Sequence, residues 1–383
     1  MRIERIRTVT VGKGADVMVQ SNYVFVVVET DTGMRGLGEG FHSLDEPIAA
    51  CVGKFARSLI GEDPAAVTRN WQRVYRGLRY PLGTAELSAL SAIEHALWDI
   101  AGKRLGAPVY RLLGGPTRDR VRLYSGLKGD DPDPAVAAGA VVARGFGALK
   151  FSPQPPDYGA MGETEVIRGS VARVRAVREQ VGPDVDICLD YHGRSFSPVE
   201  AVKLAGELAP LGIYFLEEPA LSESPRSLLE AKEKTTIPIA AGERAVTRSN
   251  MRDLIELRAV HIIQPEPTAN GGILETFKLA AMAEAAHITV APHQACSPVS
   301  LLVNAHVDAA IPNFLIQECN CFPYDDVARS ILAPLPVIRD GYLELPEAPG
   351  IGIELDEEAA AELPPRPYDR PIIVQGDGSI GLE

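Results

Sequence analysis

No stretch of about 18 apolar residues occurs in this chain of 383 residues, so no segment reads as a membrane-spanning helix. The first residues, MRIERIRTVTVGKG, carry charge but lack the apolar centre of a secretory signal. A soluble, cytoplasmic protein is expected. No CxxC pair exists among the five cysteines, Cys51, Cys188, Cys296, Cys319 and Cys321. Cys188 and Cys319 lie in apolar strand-like runs, where a buried, reduced thiol is expected. Cys319 and Cys321 form CxC without a second pair nearby, which does not suffice for a zinc site. Basic residues are in deficit, and the net charge is −13. That balance argues against nucleic acid or an anionic membrane as partner. An anionic substrate stays possible, because a bound metal inverts the local field.

A nucleotide-binding glycine loop is also missing. Gly33, Gly36, Gly38 and Gly40 follow a strand, but the spacing is not G-x-G-x-x-G and no helix follows at once. A turn and a glycine-rich strand are the plainer reading. Gly271-Gly272 opens a helix, an ordinary junction that could still face an anion.

The residues that are present suggest two domains with a C-terminal return. Residues 2–10, 23–30 and 35–40 read as a small antiparallel meander. Helical spacing follows over 45–60, 63–77 and 85–105, and Gly114-Gly115-Pro116 closes the region. From Val121 short apolar runs alternate with helical stretches at 133–144, 164–181, 198–209, 223–233, 247–257, 272–286 and 298–309. The runs begin with 121–126 and 147–152. The expected division is 1–116, 117–333 and a Pro-rich, irregular tail over 334–383 that packs back on the first part.

Six side chains mark the later runs: Asp190, Glu217, Glu243, Glu266, His293 and Glu318. Their numbers differ by 27, 26, 23, 27 and 25 in turn. Such a step fits one strand, one loop and one helix. If the strands are parallel and the sheet closes, all six converge on the face where barrel enzymes carry their sites. Asp190, Glu217 and Glu243 then form an oxygen-only set suited to a hard cation such as Mg²⁺. Without a cation they would repel and at least one would be protonated. Strand alternation favours Glu217 over Glu218 as the inward residue. It also places His192 beside Asp190, and Lys150 beside Ser152. His293 and Glu266 end neighbouring strands, so a histidine–carboxylate pair is expected. His42, His95, His261, His287 and His306 lack this phase and read as structural or solvated.

The phrases LDYHGR, YFLEEP, AAGER, IIQPEP…NGG, APH and FLIQE, with ALWDIAGK upstream, resemble the enolase superfamily over nearly the whole chain. Within it they are most similar to the mandelate racemase group and its galactonate-dehydratase-type acid-sugar dehydratases. The resemblance implies an α/β fold, a modified (β/α)7β TIM-like barrel with an N-terminal α+β capping domain. It implies Mg²⁺ on Asp190, Glu217 and Glu243, His293 as base with Glu266 as its partner, and His192 as the acid that protonates a departing 3-hydroxyl. Glu318 would exchange a hydrogen bond with the developing enediolate, staying protonated where it donates. Lys150 would contact the substrate carboxylate.

The implied reaction is dehydration of an aldonate to a 2-keto-3-deoxy sugar acid, in a homo-oligomer between dimer and octamer. Two departures qualify it. The family's QPD phrase is QPE here, and the longer Glu266 is expected to displace the imidazole or hold it differently. YPLGTAE stands where a galactonate dehydratase has an Arg-Gly-Gly-Pro-like phrase, so the identity of the sugar acid stays open. The specificity loops are expected at 13–22, 40–44 and 78–85. Two alternatives remain. A racemase or epimerase would use His293 with Lys150, although Ser152 stands where the second lysine of Lys-x-Lys would be. A catalytically impaired acid-sugar-binding homologue is the other.

Overall fold

The computed structural model describes residues 1–13, 22–42, 44–127, 133–194, 197–367 and 372–381. Strands β1 (Ile3–Val11), β2 (Tyr23–Thr30) and β3 (Arg35–Gly40) pair antiparallel in that order. Helices α1 (Asp45–Leu59), α2 (Val67–Gly77) and α3 (Thr84–Leu105) cover the meander. The second helix begins later than its periodicity suggests, at Val67. Asp63-Pro64 forms a turn first, with Asp63 accepting from the Ala65, Ala66 and Asn70 nitrogens.

The glycine string has a packing reason. A Cβ on Gly36 would lie 2.0 Å from the Ala96 carbonyl oxygen, and one on Gly38 would lie 1.9 Å from that of Ala92. Two residues of strand and four of helix advance by nearly equal lengths, about 6–7 Å. The backbones of β3 and α3 therefore run in contact, and only glycine fits.

A short helix, α4 (Val109–Leu112), leads to eight barrel strands: β4 (Arg120–Gly126), β5 (Ala148–Phe151), β6 (Asp186–Asp190), β7 (Ile213–Glu217), β8 (Ile239–Ala241), β9 (Ile262–Ile263), β10 (Thr289–Val290) and β11 (Gln317–Cys319). They pair parallel in sequence order from β4 to β10, and β11 returns to β4. The ladder is not continuous between β10 and β11, where one isolated bridge joins Val290 to Phe314. The interior nonetheless holds one apolar layer. Tyr124, Ala148, Cys188, Phe215, Ala240, Ile262, Ala291 and Ile316 meet there, one from each strand or its immediate flank. Small residues leave room for the two rings, as a narrow barrel requires. Cys188 is the buried free thiol expected.

Helices α5 (Pro134–Ala143), α6 (Glu163–Val181), α7 (Pro198–Leu208), α8 (Pro225–Glu233), α9 (Arg248–Glu256), α10 (Ile273–Ala285) and α11 (Pro298–Asp308) fill the connections. Four of them start with proline just after a capping Asp133, Ser197, Ser224 or Ser297.

Capping domain and barrel are joined by buried carboxylates on helix N-termini. Glu39 accepts from the Ser297 and Ser300 nitrogens and the Ser297 hydroxyl, at the start of α11. Glu94 of α3 accepts from the Ile273 and Leu274 nitrogens, at the start of α10. Asp99 accepts from the Leu37 and Ile351 nitrogens, gathering the C-terminal tail. That tail is more regular than expected. Ile338–Arg339 and Tyr342–Glu344 form a hairpin that adds antiparallel to barrel strand β4. Leu332–Ala333 pairs with Glu354–Leu355, and Glu357 forms an ion pair with Arg7 of β1. No helix among the described residues is long and apolar enough to cross a membrane.

Candidate active site

Parallel strands put all their C-terminal ends on one face, and the six evenly spaced side chains meet there. Two nitrogens hold them together. Lys150 Nζ, on β5, lies 3.1 Å from Asp190 Oδ2, 2.8 Å from Glu217 Oε2 and 2.7 Å from Glu318 Oε1. His293, after β10, places Nδ1 2.7 Å from Glu266 Oε2, and Nε2 3.2 Å from Glu243 Oε2 and 3.8 Å from Glu318 Oε2. Glu318 touches both side chains. His192, across the barrel from His293, sets Nε2 3.3 Å from Asp190 Oδ2.

The crowding appears in the acidities. Burial and the Asp190 charge push Glu217 up to about 8. Burial opposes ionisation of Asp190 as well, but His192 and Lys150 outweigh it and hold its pKa well below the carboxylate range. Burial likewise opposes the charge on His293, yet Glu243, Glu318 and Glu266 raise its pKa well above that of an ordinary histidine. Of the two roles expected for Glu318, donor or acceptor, its surroundings favour the acceptor. Against burial, Lys150 and His293 keep its pKa low. It accepts from Lys150, from the Gln294 nitrogen at 3.0 Å and from Asn320 Nδ2 at 3.0 Å. Lys150 is buried among acids.

The longer Glu266 holds His293 without losing contact. Its second oxygen, Oε1, accepts from the Thr268 nitrogen at 2.8 Å and the Thr268 hydroxyl at 2.7 Å. The carboxylate is thus clamped at both oxygens, and the extra methylene is taken up in that fold-back. Glu218 turns away from Glu217 and pairs with Arg244 at 3.0 Å, while Arg244 Nη2 donates to the His192 carbonyl. His192 and Glu218 both adopt left-handed backbone, φ 53° and 39°. Such conformations cost about 1–3 kcal/mol and persist where neighbours impose them. Here Gly193 N donates to the Glu218 carbonyl at 2.8 Å.

The donor set suits a hard cation. Glu217 Oε1 is buried without a partner, and the Lys150 ammonium already stands among the oxygens such an ion would use. Among the described residues, however, no three acidic, imidazole or thiol groups stand at metal-ligand spacing. Glu243 faces His293 and Arg244 instead.

Several site residues escape the even spacing. Thr268, Arg194 and Asn320 each lie two positions beyond a residue already singled out. The strand alternation used for His192 and Ser152 would have found them. Arg194 Nη1 donates to Ser152 Oγ at 3.1 Å and Gln154 Oε1 at 3.0 Å. From the capping domain, Phe41 brings its ring 6.3 Å from His293, and His42 packs on Phe41 at 4.5 Å. His42 is therefore near the site despite lacking the phase. His95 and His306 are structural, held by burial down to about 3 and about 4. Most of the expected loop 13–22, and residue 43, lie outside the described residues.

A capped parallel barrel with acids and two histidines on its strand ends has the frame of an enzyme site. The chain belongs to the mandelate racemase/muconate lactonizing enzyme family of the enolase superfamily. Residues 7–114 match the mandelate racemase/muconate lactonizing enzyme N-terminal domain, and residues 134–359 match the enolase C-terminal domain-like family. Among similar proteins is a D-galactonate dehydratase of Ralstonia pickettii, 36% identical over 94% of this chain and 96% of its own. Another, from Variovorax paradoxus, is 34% identical over 99% of both. A solved enolase from Agrobacterium radiobacter, bound to Na and L-malate, is 32% identical over the full length of both chains, with a TM-score of 0.92. An enolase-superfamily member from Salmonella Typhimurium, 29% identical over 95% of this chain and 98% of its own, gives 0.88.

Proposed function

We propose that the chain is a Mg²⁺-assisted hydro-lyase that dehydrates a sugar acid of the aldonate class to a 2-keto-3-deoxy acid. The observation that carries this reading is the pair of histidines on opposite sides of one carboxylate cluster. His293 has Nδ1 committed to Glu266, so Nε2 is the atom free to take a proton, and it faces the cluster. His192 faces the same cluster from Asp190. Asp190, Glu217 and Glu243 are the residues that would hold the ion, which when bound supplies Lewis-acid stabilisation of the enolic charge at the substrate carboxylate.

His293 Nε2 removes the C2 proton. The C3–O bond breaks as His192 delivers a proton to the departing oxygen, which leaves as water. The remaining enol takes a proton at C3 and becomes the ketone. Glu266 keeps the imidazole in the right tautomer throughout. Similarity to D-galactonate dehydratases and the cation with a hydroxy acid in the Agrobacterium radiobacter relative support the substrate class. Ser152, whose hydroxyl accepts from Arg194, offers no second base for a two-sided racemisation.

The test is incubation with stereoisomeric aldonates and Mg²⁺, reading 2-keto-3-deoxy acid by its chromogenic reaction. Product from at least one aldonate is expected. Exchange of the C2 hydrogen with no keto acid from any of them would replace dehydration with epimerisation.

A further inference from the structure

Lys150 Nζ touches three of the cluster's carboxylates through one atom, at 2.7 to 3.1 Å. Two of them, Asp190 and Glu217, are the acids proposed above as metal ligands, and this inference rests on that reading. The ammonium holds one oxygen of each, Asp190 Oδ2 and Glu217 Oε2, and leaves Glu217 Oε1 without a partner. An ammonium and a divalent ion on the same two carboxylates oppose each other, because like charges a few ångströms apart in a buried site repel strongly. The third partner, Glu318, lies on β11, on the other side of β4 from β5, and is not a proposed ligand. It holds Nζ at the shortest of the three distances.

We propose that Lys150 is a built-in rival of the divalent cation. Its ammonium and the ion take turns on Asp190 and Glu217, and Glu318 retains the ammonium when the ion is bound. Metal affinity is therefore set below what the acids alone would give, in exchange for a cluster that stays folded without metal.

The experiment is calorimetric titration of chelator-treated protein with MgCl₂, for wild type, Lys150→Met and Lys150→Arg. Removing the rival charge is expected to tighten the Mg²⁺ Kd by about tenfold or more. Arginine keeps the charge and is expected to leave it within about threefold of wild type or weaker. If Lys150→Met is too unstable without metal, its melting temperature is followed against Mg²⁺. The rise at saturation is then expected to exceed that of wild type. A Lys150→Met protein that binds Mg²⁺ no more tightly than wild type, or gains no more stability from it, overturns the proposal while leaving the metal site standing. Absence of Mg²⁺ binding in wild type overturns both.

Discussion

His293 and Glu266 make the sharpest claims about single side chains. The imidazole is oriented by a carboxylate that is itself clamped by Thr268. Glu266→Gln is expected to lower kcat by about 10- to 100-fold with little change in KM, as loss of an orienting partner does. Glu266→Asp restores the residue of the family's QPD phrase, yet it is expected to slow the enzyme. The shorter chain cannot span Thr268 and His293 together, and a displacement near one ångström costs up to about 100-fold. Steady-state kinetics of the two variants checks both statements. A faster Glu266→Asp enzyme would show that the longer acid is a handicap. At this scale the sequence was legible where a residue sits on the strand beat or is its alternate neighbour. The ionisation of Glu318 was not, because it depends on Lys150 and His293, which reach it from other strands of the barrel.

At the scale of elements, the junction between β3 and α3 is the tightest. Gly38→Ala pushes a methyl onto the Ala92 carbonyl oxygen. Overpacking of this kind costs about 1–3 kcal/mol. The lower urea midpoint should accompany reduced activity, since β3 leads into Phe41 over the site. The sequence displays the glycine string but not its cause, which is a helix that follows only after two others. The carboxylate caps were equally hidden. Glu39 and Glu94 serve helix N-termini 258 and 179 positions further along the chain.

The Glu94 cap carries a pH signature. Burial, only partly offset by the Leu274 and Ile273 nitrogens, pushes its pKa from 4.5 up to about 7. A carboxyl with a raised pKa binds its proton more tightly in the folded state. Its contribution is complete below about pH 4.5 and is lost as pH climbs through 7, a change of about 3 kcal/mol for one such group. Glu94→Gln removes that part of the slope. Urea midpoints at pH 5 and pH 8 should differ less in the variant than in wild type, and an unchanged difference would assign the slope elsewhere.

For the molecule as a whole, the architecture follows from one period. A strand, a loop and a helix repeat at a nearly constant interval until the strand ends form a ring, and the ring gathers acids that no single segment could hold together. The capping domain shields that ring, with Phe41 beside His293 and buried acids anchoring it to two barrel helices. The period was readable because buried parallel strands are short apolar runs with fixed spacing. Two features were not: the single Val290–Phe314 bridge where the ladder between β10 and β11 is interrupted, and the hairpin that the tail adds to β4. Short, polar or Pro-rich segments carry no periodic signal. The purpose proposed for the whole assembly is removal of a C2 proton beside a stabilised carboxylate and loss of the C3 hydroxyl.

The most direct measurement of that purpose is an NMR time course in D₂O with Mg²⁺ and an aldonate that the wild-type enzyme turns over, run beside His293→Asn. Wild type is expected to form the 2-keto-3-deoxy acid. The variant is expected to lose at least about 100-fold in both product formation and C2–H exchange, the usual contribution of a general base. A His293→Asn enzyme that still forms the keto acid at the wild-type rate would contradict the account.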